Sequence, residues 1–169
     1  MDTLQAIKTR RSIRKFLDKP VSREMVRELL EAAMFAPSAG NEQPWQFIVV
    51  EDRALLDAIP RICATASMCR QSSIAILICA DSSLMKYPDF WVQDCSAAVE
   101  NVLLAAHALG LGAVWAGVYP LKDRVLAFQK HFGLPEDITP FALVAVGFPA
   151  ETPATPQRFR EDRIHYNSW

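Results

Sequence analysis

One stretch limits the architecture of this chain more than any other. From Phe90 to Leu109 the sequence reads FWVQDCSAAVENVLLAAHAL, and Gly110 follows where a left-handed helix cap would stand. Placed on a helix, the interior of this stretch is apolar over most of its circumference, so the helix must be buried nearly all round. A chain of 169 residues defaults to one domain. In a domain of that size such a helix lies at the centre, packed partly against another subunit.

The remaining elements arrange themselves around it. Asp2 and Gln5 form an N-terminal capping pair for a short helix from Thr3 to Lys8, with Leu4 and Ile7 on one face. Ser22 caps a second helix, whose Val26, Leu29, Leu30, Ala33 and Met34 recur at helical spacing until Pro37 ends it. Phe47–Glu51 is an apolar, β-branched strand, and Asp52 caps a short helix through Ile59. Arg61–Gln71 has no clear state. Ser73–Asp81 and Phe141–Phe148 read as strands buried on both faces, and Gly112–Val118 as a shorter strand. Pro120 suits the first turn of a last helix that stops before Gly133. Helices alternating with buried strands give an α/β or α+β architecture, one central sheet with helices on both faces. From Ala150 to Trp169 prolines, charges and three aromatics are mixed; this tail has no core of its own and reads as an extended arm laid on its own domain or on a partner.

Composition excludes several functions. Eighteen Lys and Arg against nineteen Asp and Glu leave a net charge of −1, which offers no global attraction to nucleic acid or membrane. No apolar run reaches the ~18–20 residues of a membrane span, and the N-terminus lacks the apolar core of a signal peptide, so the chain reads as cytoplasmic. Cys63, Cys69, Cys79 and Cys95 form no C-x-x-C pair and sit in apolar settings, as core cysteines do; His107, His131 and His165 match no metal spacing.

Against that neutral background, RRSIRKF at Arg10–Phe16 places four cations in seven residues. If the segment is extended, Arg10, Ser12 and Arg14 share one side, two guanidinium forks and a hydroxyl suited to a phosphate; the competing reading is a solvated basic turn at a helix end. The loop PSAGNEQPW, Pro37–Trp45, supplies Ser38, Asn41 and Gln43 as polar groups, with Ala39 and Gly40 permitting close backbone approach and two prolines stiffening it. It suits a flat polar heterocycle, or else is a surface loop with its Trp in the core. There is no dinucleotide fingerprint in strand–turn–helix context, no P-loop and no G-x-S-x-G.

In combination, RRSIRKF, APSAGNEQPWQFIVV, GLGAVWAGVYP, VAVGFPAE and the tail RFREDRIHYNSW resemble the nitroreductase family of flavoproteins over nearly the whole chain. The resemblance implies an α+β fold with a central, mostly antiparallel sheet flanked by helices. Residues 1–169 would form a single domain, with 150–169 an arm over the partner subunit of an intertwined homodimer. It implies FMN at the subunit interface, held by Arg10, Arg11, Ser12 and Arg14 at the phosphate and ribityl region, with Arg158 of the tail. The loop residues Pro37, Ser38, Ala39, Asn41 and Gln43, reaching from the other subunit, and Ala116 and Gly117 would line the flavin. Gly40, Tyr87, Phe90 and Trp91 are candidates for the substrate side, the three aromatics equally for core packing. No side-chain acid, base or nucleophile is required, because the flavin carries the redox chemistry. The implied activity is ping-pong transfer of hydride from NADH or NADPH through FMN to a nitroaromatic, quinone or similar small acceptor. A specialised branch (dehalogenation, azole-forming dehydrogenation, flavin fragmentation) and a non-catalytic flavin binder are the alternatives. In larger members, flavin contacts also come from the region that is Arg61–Ser73 here.

Overall fold

Side-chain caps start the helices where the sequence places them. In the computed structural model, which describes residues 1–169, Asp2 accepts the Leu4 N–H at 3.0 Å and opens α1 (Thr3–Thr9). Ser22 opens α2 (Arg23–Met34) and Asp52 opens α3 (Arg53–Ile62) in the same manner. α3 runs past the expected stop at Ile59 and carries Pro60 in its last turn. The central helix α4 spans Trp91–Ala108, and α5 spans Lys122–Phe132, closed by Gly133 in the left-handed region. Pro120 is not in the first turn of α5: it precedes the helix, in a cis peptide bond with Tyr119, and Leu121 occupies the cap position.

Four strands, β1 (Trp45–Val50), β2 (Ile74–Asp81), β3 (Gly112–Gly117) and β4 (Ile138–Gly147), form one sheet in the order β1-β2-β4-β3 with every pair antiparallel. β4 begins three residues before the expected Phe141. Pro140, which has no N–H to donate, pairs with Cys79 beside a register shift between Ile78 and Cys79. β2 and β4 are the inner strands, which is why their apolar runs are unbroken.

Alternation divides the core into two layers. Ile74, Ile76, Ile78, Val144 and Val146 face α2 and α4. Ala75, Leu77, Cys79, Leu143 and Ala145 face α3, α5 and the 3₁₀ segment Ala64–Arg70. All four cysteines are buried and free. Burial pushes the Cys69, Cys79 and Cys95 thiols up to about 12, so they remain neutral core groups.

The central helix keeps one face uncovered. Its Val99, Val102 and Ala106 are fully buried, but Leu104, Ala105, Ala108 and Leu109 line an open groove of about 550 Å³ with Ala6 and Phe35. Leu4 and Ile7 of α1, Met34 of α2 and Phe35, its C-terminal cap, are exposed around that region of helices. The tail is exposed at every residue from Thr152 to Trp169, although its start is bonded to the body at Ala154; Phe159, Tyr166 and Trp169 show 77%, 82% and 101% of their surface. No helix is long and apolar enough to cross a membrane.

Candidate functional site

The basic stretch is held across the ends of β3 and β4 by two apolar anchors. Ile13 and Phe16 are buried, the Ile13 N–H donates to the Ala113 carbonyl at 3.0 Å, and the Leu17 N–H to Phe148 at 2.9 Å. The crossing requires glycine beneath it. A Cβ on Gly112 would lie 2.7 Å from Ile13 Cγ2, and one on Gly147 2.9 Å from Phe16 Cδ1. With Ile13 and Phe16 turned inward, Arg14 and Lys15 are left exposed and Ser12 half-buried.

This is not a regular strand, and the expected alternation fails at one position. Ser12 and Arg14 do line one cavity, of about 690 Å³, together with Lys15, Ser67, Arg70 and Gln71. Arg10 departs from them: its Nε lies 3.3 Å from Glu100 Oε1 on α4, and it lines a separate cavity of about 180 Å³ beside His107. The reason is its position as the C-terminal cap of α1, which directs it toward α4 before the extended segment begins. Arg11 is occupied by backbone, donating to the carbonyls of Lys8, Arg10 and, at 3.2 Å, Ala154, and thereby fastens the start of the tail. Glu151 Oε1 accepts the N–H groups of Arg14 at 2.6 Å and Lys15 at 3.1 Å. The Arg14 bond first, then the Lys15 bond and the two cationic side chains, hold its carboxyl below the usual glutamate range. A carboxylate has thus selected the amides flanking this cavity, a sign of local positive potential.

A second cavity of about 500 Å³ adjoins the first, and Arg14 and Met68 line both. Its walls are different: Thr65 and the backbone edge of β3 at Trp115, Ala116 and Gly117, with Arg124 from α5. Arg124 Nη1 donates to the Gly117 carbonyl at 2.8 Å. A Cβ on Gly117 would meet no atom within 4 Å. The pair of cavities therefore joins a cationic, hydroxyl-bearing pocket to a flatter one against a strand edge, with an Arg14 guanidinium that makes no hydrogen bond or ion pair within the chain between them.

The Pro37–Gln43 loop lies elsewhere. It leads into β1, while the basic stretch lies against β3, and these are the opposite edges of the sheet. Gly40, Asn41 and Gln43 have φ of 54°, 56° and 50°, Ser38 Oγ accepts the Gln43 N–H at 3.0 Å, and Asn41 Oδ1 accepts from Gln43 Nε2 at 2.9 Å. Gly40 is packed under Tyr87 so closely that a Cβ would lie 2.4 Å from the ring. Tyr87 and Phe90 are half exposed, whereas Trp91 packs edge-on against Tyr119 and Phe141 at centroid distances of 4.6 and 5.7 Å.

Within this chain, then, Ser12, Arg14, Ala116 and Gly117 are brought together. Arg10 and Arg11 line the neighbouring cavity, and the Pro37–Gln43 loop and Arg158 line none of these three. The sequence placed flavin contacts in the Arg61–Ser73 region without assigning them to residues, and Ser67, Arg70 and Gln71 fall there, in an aperiodic 3₁₀ helix and its C-terminal cap; Arg124 was missed, because it is indistinguishable from an ordinary charge on a helix face until α5 is docked.

The family profile described as "Nitroreductase family" matches residues 7–72 and 76–148. A protein of Methanothermobacter thermautotrophicus named "Putative NADH dehydrogenase/NAD(P)H nitroreductase" is 53% identical over all of this chain and 88% of its own length. The crystal structure of a "Putative NADH Oxidase" from Clostridium acetobutylicum superposes with a TM-score of 0.95 at 42% identity, covering 97% of this chain and 99% of that one. A "putative nitroreductase in complex with fmn" from Desulfovibrio desulfuricans gives 0.87 at 35% identity, covering 100% and 98%.

Proposed function

The chain belongs to the nitroreductase family, and from that membership we propose that it is an FMN-dependent oxidoreductase that takes hydride from NADH or NADPH and reduces a nitroaromatic, quinone or similar small acceptor in a ping-pong cycle. The observation that carries this reading is the joined pair of cavities with the unpaired Arg14 guanidinium between them. The fit to FMN is chemical as well as steric. A phosphate and ribityl chain needs cations and neutral hydrogen-bonding groups, supplied by Arg14 and Arg70, by the hydroxyls of Ser12 and Ser67 and by the amide of Gln71. A flat ring needs an open strand edge, supplied by Trp115–Gly117, where no side chain stands over Gly117.

When bound, FMN supplies the two-electron redox chemistry that no protein side chain here provides. The residues of this chain bind and orient it. Arg14, which lines both cavities, would hold it where they join. Arg124 holds the Gly117 peptide by its carbonyl, fixing the strand edge that would support the ring, and adds a cation to that cavity. Positive charge near the ring favours its reduced, anionic form.

The working unit is a homodimer with one FMN at each of two interface sites. Three observations support this: the uncovered face of α4, the exposed apolar side chains of α1 and α2, and a tail exposed from Thr152 onward. A second copy covers the groove, lays Phe159, Tyr166 and Trp169 on its partner, and presents Pro37, Ser38, Ala39, Asn41 and Gln43 to the flavin held by the first. Arg158 completes the phosphate end, whereas Arg10 stays with Glu100 beside it, and Gly40, Tyr87 and Phe90 face the acceptor. Trp91, partly buried, packs against the core.

The test is the visible spectrum of the purified protein with FMN, before and after anaerobic NADH and then NADPH. A bound flavin that bleaches, and regains its colour on adding a nitroaromatic or quinone, is the expected result. Bound flavin that neither nucleotide reduces refutes the oxidoreductase reading. Absence of bound flavin refutes the cofactor assignment.

A further inference from the structure

The Pro37–Gln43 loop is fastened to the body by two buried carboxyl groups, each only half satisfied. Asp94, in the first turn of α4, is 5% exposed; its Oδ1 accepts the Ala39 N–H at 3.0 Å, and its Oδ2 is buried with no partner. Glu42, 9% exposed, accepts the N–H groups of Lys86 at 2.6 Å and Tyr87 at 2.9 Å through Oε2, and its Oε1 is likewise buried with no partner. Both carboxyls are bound at the same short segment, Asp94 to the Ala39 N–H and Glu42 three residues further on, and Glu42 acts on the Asp94 carboxyl both as a charge and as a hydrogen-bond partner. Two ionised carboxylates in that arrangement would repel each other, and each would bury a bare oxygen.

We propose that Asp94 carries a proton and donates it from Oδ2 to Oε1 of Glu42, so that the pair forms a clasp joining the loop, the Lys86–Tyr87 turn and the start of α4. A single proton satisfies both bare oxygens. The clasp holds Gly40 under the Tyr87 ring and fixes the left-handed residues Asn41 and Gln43 that flank Glu42. Asp94 and Glu42 are thus positioning residues for the loop. That the loop faces a flavin rests on the function proposed above; the clasp itself does not.

The surroundings agree. Burial is the main cause that raises the Asp94 carboxyl above its ordinary value of 3.8; the Ala39 bond opposes the rise, and Glu42 adds to it both as a charge and as a hydrogen-bond partner. The thiols of Cys95 beside it on α4 and of Cys79 on β2 are neutral. On the 81–89 segment, Asp81 is turned to Ser83 and Gln46, and the side chains of Lys86, Tyr87 and Asp89 are exposed. No cation forms an ion pair with either carboxyl. Because the folded protein binds the Asp94 proton more tightly than the unfolded chain, the clasp is complete at acid pH and weakens as pH rises through the raised Asp94 value.

The test is amide hydrogen exchange of the purified protein across pH, without FMN or nucleotide, read as protection factors at Ala39, Lys86 and Tyr87. In the wild type, protection falls by up to about tenfold per pH unit, the limit for one proton, as pH rises from the ordinary value of 3.8 to the raised Asp94 value, and is level above it. Asp94→Asn keeps the protection and removes its pH dependence, because the amide NH₂ donates permanently to Glu42. Glu42→Gln does the same, its NH₂ donating to Asp94. The double variant turns two NH₂ groups on each other and loses far more protection than the two single variants together. A merely structural pair would give additive losses. The proposal is overturned if Asp94→Asn keeps the wild-type pH slope, or if the double variant is as protected as either single one, as two repelling anions would predict. No flavin enters the readout, so failure to bind FMN would leave this result standing.

Discussion

Arg14 is the residue on which the flavin reading is most exposed to refutation. Its backbone N–H is held by Glu151, its neighbours Ile13 and Phe16 are anchored in the core, and its side chain makes no bond within the protein. Replacing it with alanine therefore removes a cation from the junction of the two cavities without disturbing the fold. A hydrogen bond to a charged partner contributes about 1.5–3 kcal/mol. At about 1.4 kcal/mol per tenfold, Arg14→Ala raises the FMN dissociation constant about 10- to 150-fold. Arg14 is exposed in the free chain, and solvent screening sets the effect toward the lower end. Arg14→Lys keeps the charge and loses the fork, so it falls between the two. The assay is quenching of flavin fluorescence on titrating protein into FMN, repeated at low and high salt. Salt should weaken the wild type more than Arg14→Ala, since the variant has lost a screened interaction. An unchanged melting temperature confirms that the fold is intact. An Arg14→Ala affinity within about twofold of wild type, below any loss expected for a charged hydrogen bond, would refute the assignment of these cavities to FMN.

Three other outcomes are expected. Gly112→Ala drives a Cβ to 2.7 Å from Ile13 and forces the basic stretch off the sheet, at an overpacking cost of about 1–3 kcal/mol in a denaturant titration; a neutral effect would show that the crossing is not rigid. Removing residues 152–169 uncovers the partner-facing surface and yields a monomer with weakened FMN binding by sedimentation and absorbance; a truncated dimer that keeps its flavin would sink the arm assignment. His107 is held below its ordinary 6.5 first by burial and then by Arg10 and Arg11, so its neutral form is favoured in the fold. The stability it contributes is complete above 6.5 and is lost as pH falls through the lowered value. In His107→Gln the fall in stability on acidification through that window is shallower, a difference that melts at a series of pH values will measure.

Much of this protein was determined locally by its sequence. Caps at Asp2, Ser22 and Asp52, helical spacing in α2 and the doubly buried runs of β2 and β4 identified their elements, because each depends on neighbours a few residues away. The nearly all-round apolarity of α4 announced a helix with more to bury than its own domain covers, and the groove at Leu104, Ala105, Ala108 and Leu109 is that excess. The cluster of cations at Arg10–Lys15 marked where an anion would go. What tertiary structure decided is which of those cations act together. The C-terminal cap of α1 directs Arg10 to Glu100, the tail occupies Arg11, and the anchors Ile13 and Phe16 leave Ser12 and Arg14 beside one cavity. The partners they meet, Arg70 and Gln71 from an aperiodic 3₁₀ segment and Arg124 from a charged helix face, carry no local signal. Asp94 and Glu42 are alike: 52 positions apart in sequence, they meet because the loop before β1 folds back onto the first turn of α4. Local chemistry determines what an element is. Convergence of residues distant in the chain depends on the strand order and on which faces are buried, and those are properties of the packed molecule.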